Sequence, residues 1–344
     1  MKDFTYLKPA DLGTALELLG DDGAGWADTR TRAIAGGQDL YGELKTGLVE
    51  ADTVVDLKGL PGGTALEQGG DGNLRIGALV RLADLEELPA GGPATGLVAS
   101  AAASVGSPQV RSQATLGGNL CQRPRCLYYR RPEALCLKKG GDECFAYGGH
   151  NKYNAILGGG PSFIVHPSDL APALVALDAA VTIAGRDGER TLALEDFFTL
   201  PSEGDVTRET VLATDEVLTR VETRLPLADR MAGTWRSVFL KFREREGFDF
   251  ALSAVALCLR VAEDTVVDAR LVLGGVAPKP WRCAGAEELL RGETLPAGGD
   301  AFEQLAAAVG DAALAGAEPL DHNAYKLPLT RGLIRRALQR LTRP

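Results

Sequence analysis

The chain has 344 residues, 45% of them hydrophobic, which is enough to bury a substantial core and to form two domains. Its 37 Lys and Arg against 46 Asp and Glu give a net charge of −9, so no overall positive field draws it to nucleic acid or to an anionic membrane. The N-terminus lacks the apolar core of a signal peptide, and no stretch approaches the ~20 apolar residues that span a bilayer. We therefore expect a cytoplasmic protein with neither nucleic acid nor membrane as a partner, although a partner that carries a signal could export it.

The first part of the chain alternates short helices and strands. Asp11 precedes an apolar run at helical spacing that ends at Gly20, so it is a candidate N-cap. In chain order we predict a helix over 12–19, a strand over 33–35, a helix from 38 or 39, a strand over 53–57, a hairpin and strand within 69–79, and helices over 80–89 and 95–105.

The second part of the chain begins after a cysteine-rich segment. Residues 155–198 predict a strand, a helix and a hairpin around positions 187–188. A polar stretch over 226–234 separates these elements from a unit in which strands come first and helices last, a pattern typical of an α+β domain. We therefore divide the chain into residues 1–228 and 229–344.

Two short phrases pair glycines with polar side chains, AGGQDL at residues 35–40 and TLGGNL at residues 115–120. Glycine lets the backbone approach a ligand closely, and successive N–H groups in such a turn form an anion-binding nest. A single glycine pair more often marks a turn, and neither phrase is the G-x-G-x-x-G fingerprint of nicotinamide-binding folds. Together, the two matched phrases point to a locally held phosphate.

Four of the six cysteines, namely Cys121, Cys126, Cys136 and Cys144, lie within one segment of 24 residues. In a reducing compartment such clustering favours a metal over disulfides. The spacing is not that of a zinc ribbon, but it leaves zinc open, and four thiolates also suit a [4Fe–4S] cluster. The cations among the cysteines would stabilise thiolates, or they could form a solvated face; they are Arg123, Arg125, Arg130, Arg131, Lys138 and Lys139.

The remaining cysteines and the histidines predict structural roles. Cys258 lies in the apolar run SAVALCLRV and is expected in the core, and Cys283 has no partner nearby in sequence. None of the histidines, His150, His166 and His322, stands in a triad-like or His-x-x-x-His setting.

Seven phrases follow one another over nearly the whole chain: AIAGGQDLYGELKTGL, TVVDLKGL, LRIGALVRLADLEE, QVRSQATLGGNL, HPSDLAPALVALDA, FLKFREREGFDFALSAVAL and NAYKLPLTRGLIRRAL. In this order the chain resembles the FAD-binding medium subunit of the molybdenum hydroxylase family, which includes xanthine dehydrogenases, carbon monoxide dehydrogenase and aldehyde oxidoreductases. The resemblance implies an α+β protein: a two-lobed FAD-binding domain of the vanillyl-alcohol-oxidase type, with lobes at about 1–58 and 59–228, followed by a smaller α+β domain.

The same resemblance implies which residues contact FAD. They are Ala35, Gly36, Gly37, Gln38, Asp39 and Leu40 of the first phrase, Thr115, Gly118 and Asn119 of the second, and Asp169 and Lys241. Two of these residues have a plainer alternative. Asp169 could cap the helix that follows it, and Lys241 could be a solvated position on its strand.

The cysteine segment resembles an insertion, here about 121–160, in the FAD subunit of a subgroup similar to the bacterial periplasmic aldehyde oxidoreductase. The resemblance implies a [4Fe–4S] cluster on Cys121, Cys126, Cys136 and Cys144. It also implies a heterotrimer, or a dimer of one, with a large molybdopterin-binding subunit and a small [2Fe–2S] subunit whose electrons pass through FAD to a terminal acceptor.

The resemblance assigns no acid or base catalyst to this chain, because the flavin carries the redox chemistry. Two other functions stay open at this point. One is a stand-alone flavin-dependent alcohol or aldehyde oxidase, and the other is a zinc-stabilised, non-enzymatic assembly protein.

Overall fold

The structure is a computed structural model that describes residues 1–20, 28–226 and 233–342. Within these residues the strands form three sheets. The first is a parallel sheet of order β1–β3–β2, which carries the first lobe. Its elements are β1 (Thr5–Leu7), α1 (Leu12–Leu19), β2 (Thr31–Ile34), α2 (Leu40–Thr46) and β3 (Thr53–Asp56). The predicted first helix and its cap are confirmed, since Thr14 N donates to Asp11 Oδ1 at 2.8 Å.

The second sheet is antiparallel, of order β4–β5–β8–β6–β7, and belongs to the second lobe. Its strands are β4 (Leu66–Gln68), β5 (Leu74–Gly77), β6 (Ala180–Gly185), β7 (Gly188–Ala193) and β8 (Val217–Glu222). The helices of this lobe are α3 (Leu82–Glu86), α4 (Pro93–Ala103), α5 (Pro108–Arg111), α6 (Leu116–Leu120), α7 (Leu170–Ala176) and α8 (Leu194–Phe197). The hairpin predicted around 187–188 is confirmed as the turn between β6 and β7.

The third sheet is antiparallel, of order β12–β11–β10–β9, and both of its faces are buried. Its elements are β9 (Thr234–Phe242), β10 (Ser253–Ala262), β11 (Thr265–Gly274), β12 (Trp281–Arg282), α9 (Ala284–Leu290), α10 (Gly299–Ala313) and α11 (Lys326–Thr342). Because side chains alternate along a strand, Ala254, Ala256 and Cys258 pack on the second lobe while Val255 and Leu257 pack towards the helices. This double burial explains the unbroken apolar run, and it confirms Cys258 as a core residue.

The predicted α+β class is confirmed, but one element is not. The strand expected between residue 155 and α7 is an irregular segment in the structure. Glycines at 158–160 interrupt it, and its backbone donates to separate acceptors: Ile156 N to Val276 O at 2.9 Å and His166 N to Ala277 O at 3.0 Å. Its apolar pattern arises because Ile156 joins the core beneath the third sheet. The predicted boundary at 228/229 lies outside the described residues.

None of the described helices combines the length and apolar composition needed to cross a membrane. The longest of them, α11, instead begins with a buried polar group. The Lys326 side chain is 0% exposed, and its Nζ lies 2.7 Å from Gly275 O, 3.0 Å from Asn154 O and 3.1 Å from Tyr153 O. Asn323 adds two donations to the carbonyls of Asn154 and Ala155, both at 3.1 Å. The start of α11 therefore holds the chain that leaves the cysteine segment.

We predict that Lys326 makes stability depend on pH. Burial lowers the pKa of Lys326 from 10.5 to about 7, so between these values the unfolded chain binds a proton that the folded chain lacks. The free energy of unfolding then rises with pH over this window, by at most about 1.4 kcal/mol per pH unit. Lys326→Met should remove that slope in urea unfolding at pH 7.5 and 9.5. The exposed Lys8→Met is the control, and an unchanged slope in the Lys326 variant would contradict the assignment.

Candidate functional site

A cavity of about 700 Å³ lies between the two lobes and is lined by both glycine phrases. The first phrase connects β2 to α2, and the second runs into α6. Backbone bonds fix the second phrase beside β5, since Leu116 N donates to Val80 O at 2.9 Å and Gly117 N to Ala78 O at 2.8 Å. The fold thus brings together two phrases that are about 80 residues apart in sequence.

Glycine at position 36 is required by the other phrase's own neighbours. A Cβ on Gly36 would stand 2.1 Å from Gln113 O and 2.9 Å from Ala114 Cα, so the two backbones could not approach as they do. Gly37 takes a left-handed conformation with φ of 71°, which favours glycine. Among the described residues, no acceptor receives the N–H groups of Gly37, Gln38 and Asp39. These groups are available to a phosphate in the cavity.

The second phrase is held by side chains that also order α7. Thr115 Oγ1 accepts from Gly118 N at 3.2 Å, and Asn119 Oδ1 accepts from Ser168 Oγ at 2.5 Å. Ser168 Oγ in turn accepts from Ala171 N at 3.0 Å. Asp169 stands at the N-cap position of α7, but its side chain makes no capping hydrogen bond. Ser168 supplies the side-chain cap, so the capping alternative for the Asp169 carboxylate is wrong.

Asp169 and Lys241 form an ion pair in the cavity wall. Their side chains are each 4% exposed, and Lys241 Nζ lies 2.6 Å from Asp169 Oδ2 and 3.0 Å from Ser104 O. Burial raises the pKa of Asp169, and the Lys241 charge opposes that shift. The solvated alternative for Lys241 is wrong. The pair places one charge of each sign at the cavity, close to where β9 reaches the second lobe.

The cysteine segment, which follows the second glycine phrase directly in sequence, forms a wall of the same cavity. The wall residues from this segment are Cys121, Gln122, Arg123, Arg125, Tyr129, Pro132, Leu135, Lys138 and Lys139. Two of their cations share one carboxylate: Arg123 Nη1 lies 2.6 Å and Lys138 Nζ 2.9 Å from the buried Glu209. A solvated face describes the exposed Arg131, but it is wrong for Arg123 and Lys138.

Asp39 lies on the first glycine phrase, yet its carboxylate meets the cysteine segment. It accepts from Arg125 Nη1, from Arg130 Nη2 at 2.8 Å and from the backbone N of Arg123 at 2.6 Å. Although burial alone would raise the pKa of Asp39, the two guanidinium groups lower it below the ordinary value. The ionised Asp39 carboxylate thus joins the first phrase to the cysteine segment.

The four clustered thiols do not form one metal centre in this structure. Cys121 lines the cavity between the lobes, whereas Cys144 lines a second, surface pocket with Tyr128 and Phe145. Within the described residues, no three His, Cys, Asp or Glu side chains are grouped to hold a metal ion. Burial raises the pKa of Cys121 to about 12, which keeps this thiol protonated in the metal-free chain.

Two interactions nevertheless connect Cys126 with its neighbours Cys136 and Asn154. Cys126 is near enough to Cys136 to raise the pKa of Cys136, although burial is the larger cause. Asn154 Nδ2 lies 3.6 Å from Cys126 Sγ and donates to it. All six cysteines are free thiols, so the disulfide alternative is not realised here.

Sequence reasoning missed the loop between β9 and β10, which also lines the cavity. Phe248 and Phe250 belong to the wall, and the Arg125 guanidinium carbon lies 4.9 Å from the ring centre of Phe250. Phe248 has a φ of 68°, a left-handed conformation that is strained for an aromatic residue. The signal in the sequence is a pair of phenylalanines next to a run of charged residues, within the phrase FLKFREREGFDFALSAVAL.

The histidines take structural positions. His166 is 4% exposed, its Nε2 lies 3.2 Å from Leu120 O, and its Nδ1 accepts from Ser168 N at 3.3 Å. Burial lowers the pKa of His166 to about 3, so the ring is neutral and joins the second phrase to the chain before α7. His150 and His322 stack with ring centres 5.7 Å apart.

Comparison with known families covers almost the whole chain. Residues 2–227 match the family described as the FAD binding domain in molybdopterin dehydrogenase, and residues 238–341 match the CO dehydrogenase flavoprotein C-terminal domain. The chain is similar to the aldehyde oxidoreductase FAD-binding subunit PaoB of Escherichia coli (strain K12), at 33% identity over 96% of each chain. It is also similar to the carbon monoxide dehydrogenase medium chain of Hydrogenophaga pseudoflava, at 26% identity over 97% of this chain and 96% of that one.

Solved structures agree in fold. The chain resembles a carbon monoxide dehydrogenase from Hydrogenophaga pseudoflava with a TM-score of 0.71 and 25% identity, covering 98% of this chain and 96% of that one. A quinoline 2-oxidoreductase from Pseudomonas putida 86 gives a TM-score of 0.72 at 24% identity over 99% and 97% of the two chains, a likeness that shows the fold alone. The predicted succession of an FAD-binding domain and an α+β flavoprotein domain is confirmed.

We predict that Gly36→Ala disrupts the cavity. The added Cβ would clash with a backbone oxygen that cannot turn aside, so the two phrases must separate, at a cost of about 1–3 kcal/mol in stability. FAD content after purification should fall with the melting temperature. Gly42→Ala on α2 is the matched control, because its Cβ meets no atom within 4 Å. Normal FAD content in the Gly36 variant would show that the close approach is dispensable.

Proposed function

The chain belongs to the family of FAD-binding medium subunits of molybdenum hydroxylases, and from that premise we propose that it passes electrons from [2Fe–2S] clusters of a partner subunit through FAD to a terminal acceptor. It is an oxidoreductase subunit of the type found in aldehyde oxidoreductase and carbon monoxide dehydrogenase. The observation that carries the proposal is the cavity between the lobes, lined by two glycine phrases that approach each other as only glycine allows.

The residues at this cavity fit FAD. Its volume of about 700 Å³ suits a dinucleotide, and the N–H groups of Gly37, Gln38 and Asp39, which have no acceptor among the described residues, suit a pyrophosphate. We propose that FAD is held by Ala35, Gly36, Gly37, Gln38, Asp39, Leu40, Thr115, Gly118, Asn119, Asp169 and Lys241. When bound, FAD supplies the redox chemistry, while the protein sets its orientation and surroundings.

The roles of these residues differ. The backbone of the first phrase would bind phosphate oxygens, and Gly118 would leave room for close approach. Asp169 and Lys241 would contact the flavin as a buried ion pair, so that one charge of each sign would lie beside it. Asp39 would act through its backbone, because its carboxylate is engaged by Arg125 and Arg130.

The partners in this proposal are a large molybdopterin-binding subunit and a small [2Fe–2S] subunit, joined in a heterotrimer or its dimer. Support comes from the relatives, which are subunits of an aldehyde oxidoreductase and a carbon monoxide dehydrogenase. The substrate would be selected on the large partner, and the cavity between the lobes would be filled by FAD. We propose a cytoplasmic complex, or an exported one if a partner carries the signal, and a domain division at 228/229.

We further propose that Cys121, Cys126, Cys136 and Cys144 bind a [4Fe–4S] cluster. The support is chemical: four thiols in one segment, two of them near each other, with Arg and Lys side chains to offset the charge of thiolates. The metal-free arrangement does not bring the four together, so cluster assembly would require Cys121 and Cys144 to move from their present pockets.

The proposed function predicts the spectrum of the anaerobically purified chain. Flavin bands together with broad iron–sulfur absorption, and iron in place of zinc on metal analysis, are the expected result. A colourless preparation that contains zinc would instead support an assembly protein. Oxidation of an aldehyde or alcohol by the chain without its partners would support a stand-alone oxidase.

We predict that Cys126→Ser lowers the iron content while FAD is retained. Cys126 contacts Asn154 and is not one of the described residues that line the cavity. Iron analysis and flavin absorbance measure the two cofactors separately. Cys283→Ala, in the core beneath the third sheet, is the control and should keep both. If the Cys126 variant retains its iron, the proposed ligand set is wrong.

A further inference from the structure

Asp39 stands at the junction of the phosphate loop and the cysteine segment. Three donors converge on its carboxylate, and all three come from the segment: the guanidinium groups of Arg125 and Arg130 and the backbone N of Arg123. The Asp39 side chain is 15% exposed, so this contact is largely shielded from water. Asp39 is the single acidic residue of the first phrase, so its carboxylate is the only one that the phrase can offer to these donors.

A second carboxylate, one helical turn further on, extends the same contact. Glu43 is buried, accepts from Tyr129 Oη at 3.2 Å and lies 3.4 Å from Arg130 Nη1. Tyr129 is itself 2% exposed and accepts from Arg123 Nε at 2.8 Å. The start of α2 and the first ten residues of the cysteine segment therefore share one connected polar network.

The network also faces the cavity. Arg123, Arg125 and Tyr129 belong to the cavity wall, as do Asp39 and Glu43. Among the described residues, the buried Nε of Arg125 has no hydrogen-bond partner. A ligand that fills the cavity would thus touch both sides of the network, the loop that carries Asp39 and the segment that Asp39 holds.

We infer that Asp39 is a positioning residue that couples FAD binding to the ordering of residues 121–139. FAD restrains the first phrase, Asp39 transmits that restraint to Arg123, Arg125 and Arg130, and the ordered segment closes the cavity wall. Since coupling between two equilibria is reciprocal, ordering of the segment strengthens FAD binding to the same degree. The inference rests on the proposed FAD site; it assigns the Asp39 carboxylate a role towards the segment, whereas the Asp39 backbone faces the cofactor.

The experiment uses the full-length chain with and without added FAD. In the wild type, FAD should slow amide hydrogen exchange across 121–139 and leave α10 unchanged, because no residue of α10 lines the cavity. Asp39→Asn keeps the shape but loses the charge, so its FAD affinity should fall about tenfold, as expected for loss of a charged hydrogen-bond group. At saturating FAD, the variant should still show fast exchange across 121–139. Asp39→Glu, which restores the charge, should recover part of the protection.

The matched control is Asp84→Asn, which breaks an Arg81–Asp84 ion pair of 2.9 Å on the surface and should change neither quantity. If Asp39→Asn does not fold, Arg125→Gln combined with Arg130→Gln tests the same contact from the other side.

Three outcomes would overturn the inference: wild-type affinity for FAD in Asp39→Asn, no FAD-dependent protection of 121–139 in the wild type, or full protection in Asp39→Asn despite weaker binding. The last outcome would make Asp39 a direct cofactor ligand. A wild-type chain that binds no FAD would instead refute the proposed function.

Discussion

The cavity depends on a cluster of opposite charges that is largely removed from water. Four cations of the cysteine segment meet three carboxylates from two other parts of the chain. The cations are Arg123, Arg125, Arg130 and Lys138, and the carboxylates are those of Asp39, Glu43 and Glu209. Arg123 lies 2.6 Å from Glu209, and Arg130 lies 2.8 Å from Asp39. Loss of one partner of a buried pair costs about 3–5 kcal/mol, because the other charge is left without compensation. The cluster therefore specifies where the segment lies more than it adds net stability.

The opposite end of the segment is fixed by different chemistry. At the start of α11, Asn323 and Lys326 donate to backbone carbonyls of residues 153–155. The Asn323 amide and the Lys326 Nζ satisfy carbonyls that would otherwise be buried without a partner. The segment is thus held by ion pairs to the FAD-binding domain at its beginning and by hydrogen bonds to the C-terminal domain at its end. In sequence, Cys121 precedes the ion-paired residues, Cys126 and Cys136 lie among them, and Cys144 lies between the two attachments.

Much of the fold and part of the site could be predicted from local pattern. Helical spacing with a capping Asp11, alternation in the hairpins and the apolar run of β10 each have a local physical cause, and each prediction is confirmed. The glycine phrases were recognisable because glycine has a distinct backbone freedom. The strand expected after residue 155 was wrong because apolar residues there pack individually under the third sheet, and a run of apolar residues alone does not distinguish that from a strand.

By itself, the sequence determined the family, the α+β class, the two glycine phrases and the identity of the four clustered cysteines, because all of these depend on residue type and order along the chain. Only the tertiary structure decided what those residues meet. Ser168 and not Asp169 caps α7, Lys241 is buried against Asp169, Gly36 is glycine because Gln113 O is adjacent, and Arg123 and Lys138 face Glu209 and not solvent. Some of these contacts join residues that are distant in sequence, and the others depend on backbone geometry that the residue type does not fix. No local pattern in the sequence encodes which partner a buried polar group will find.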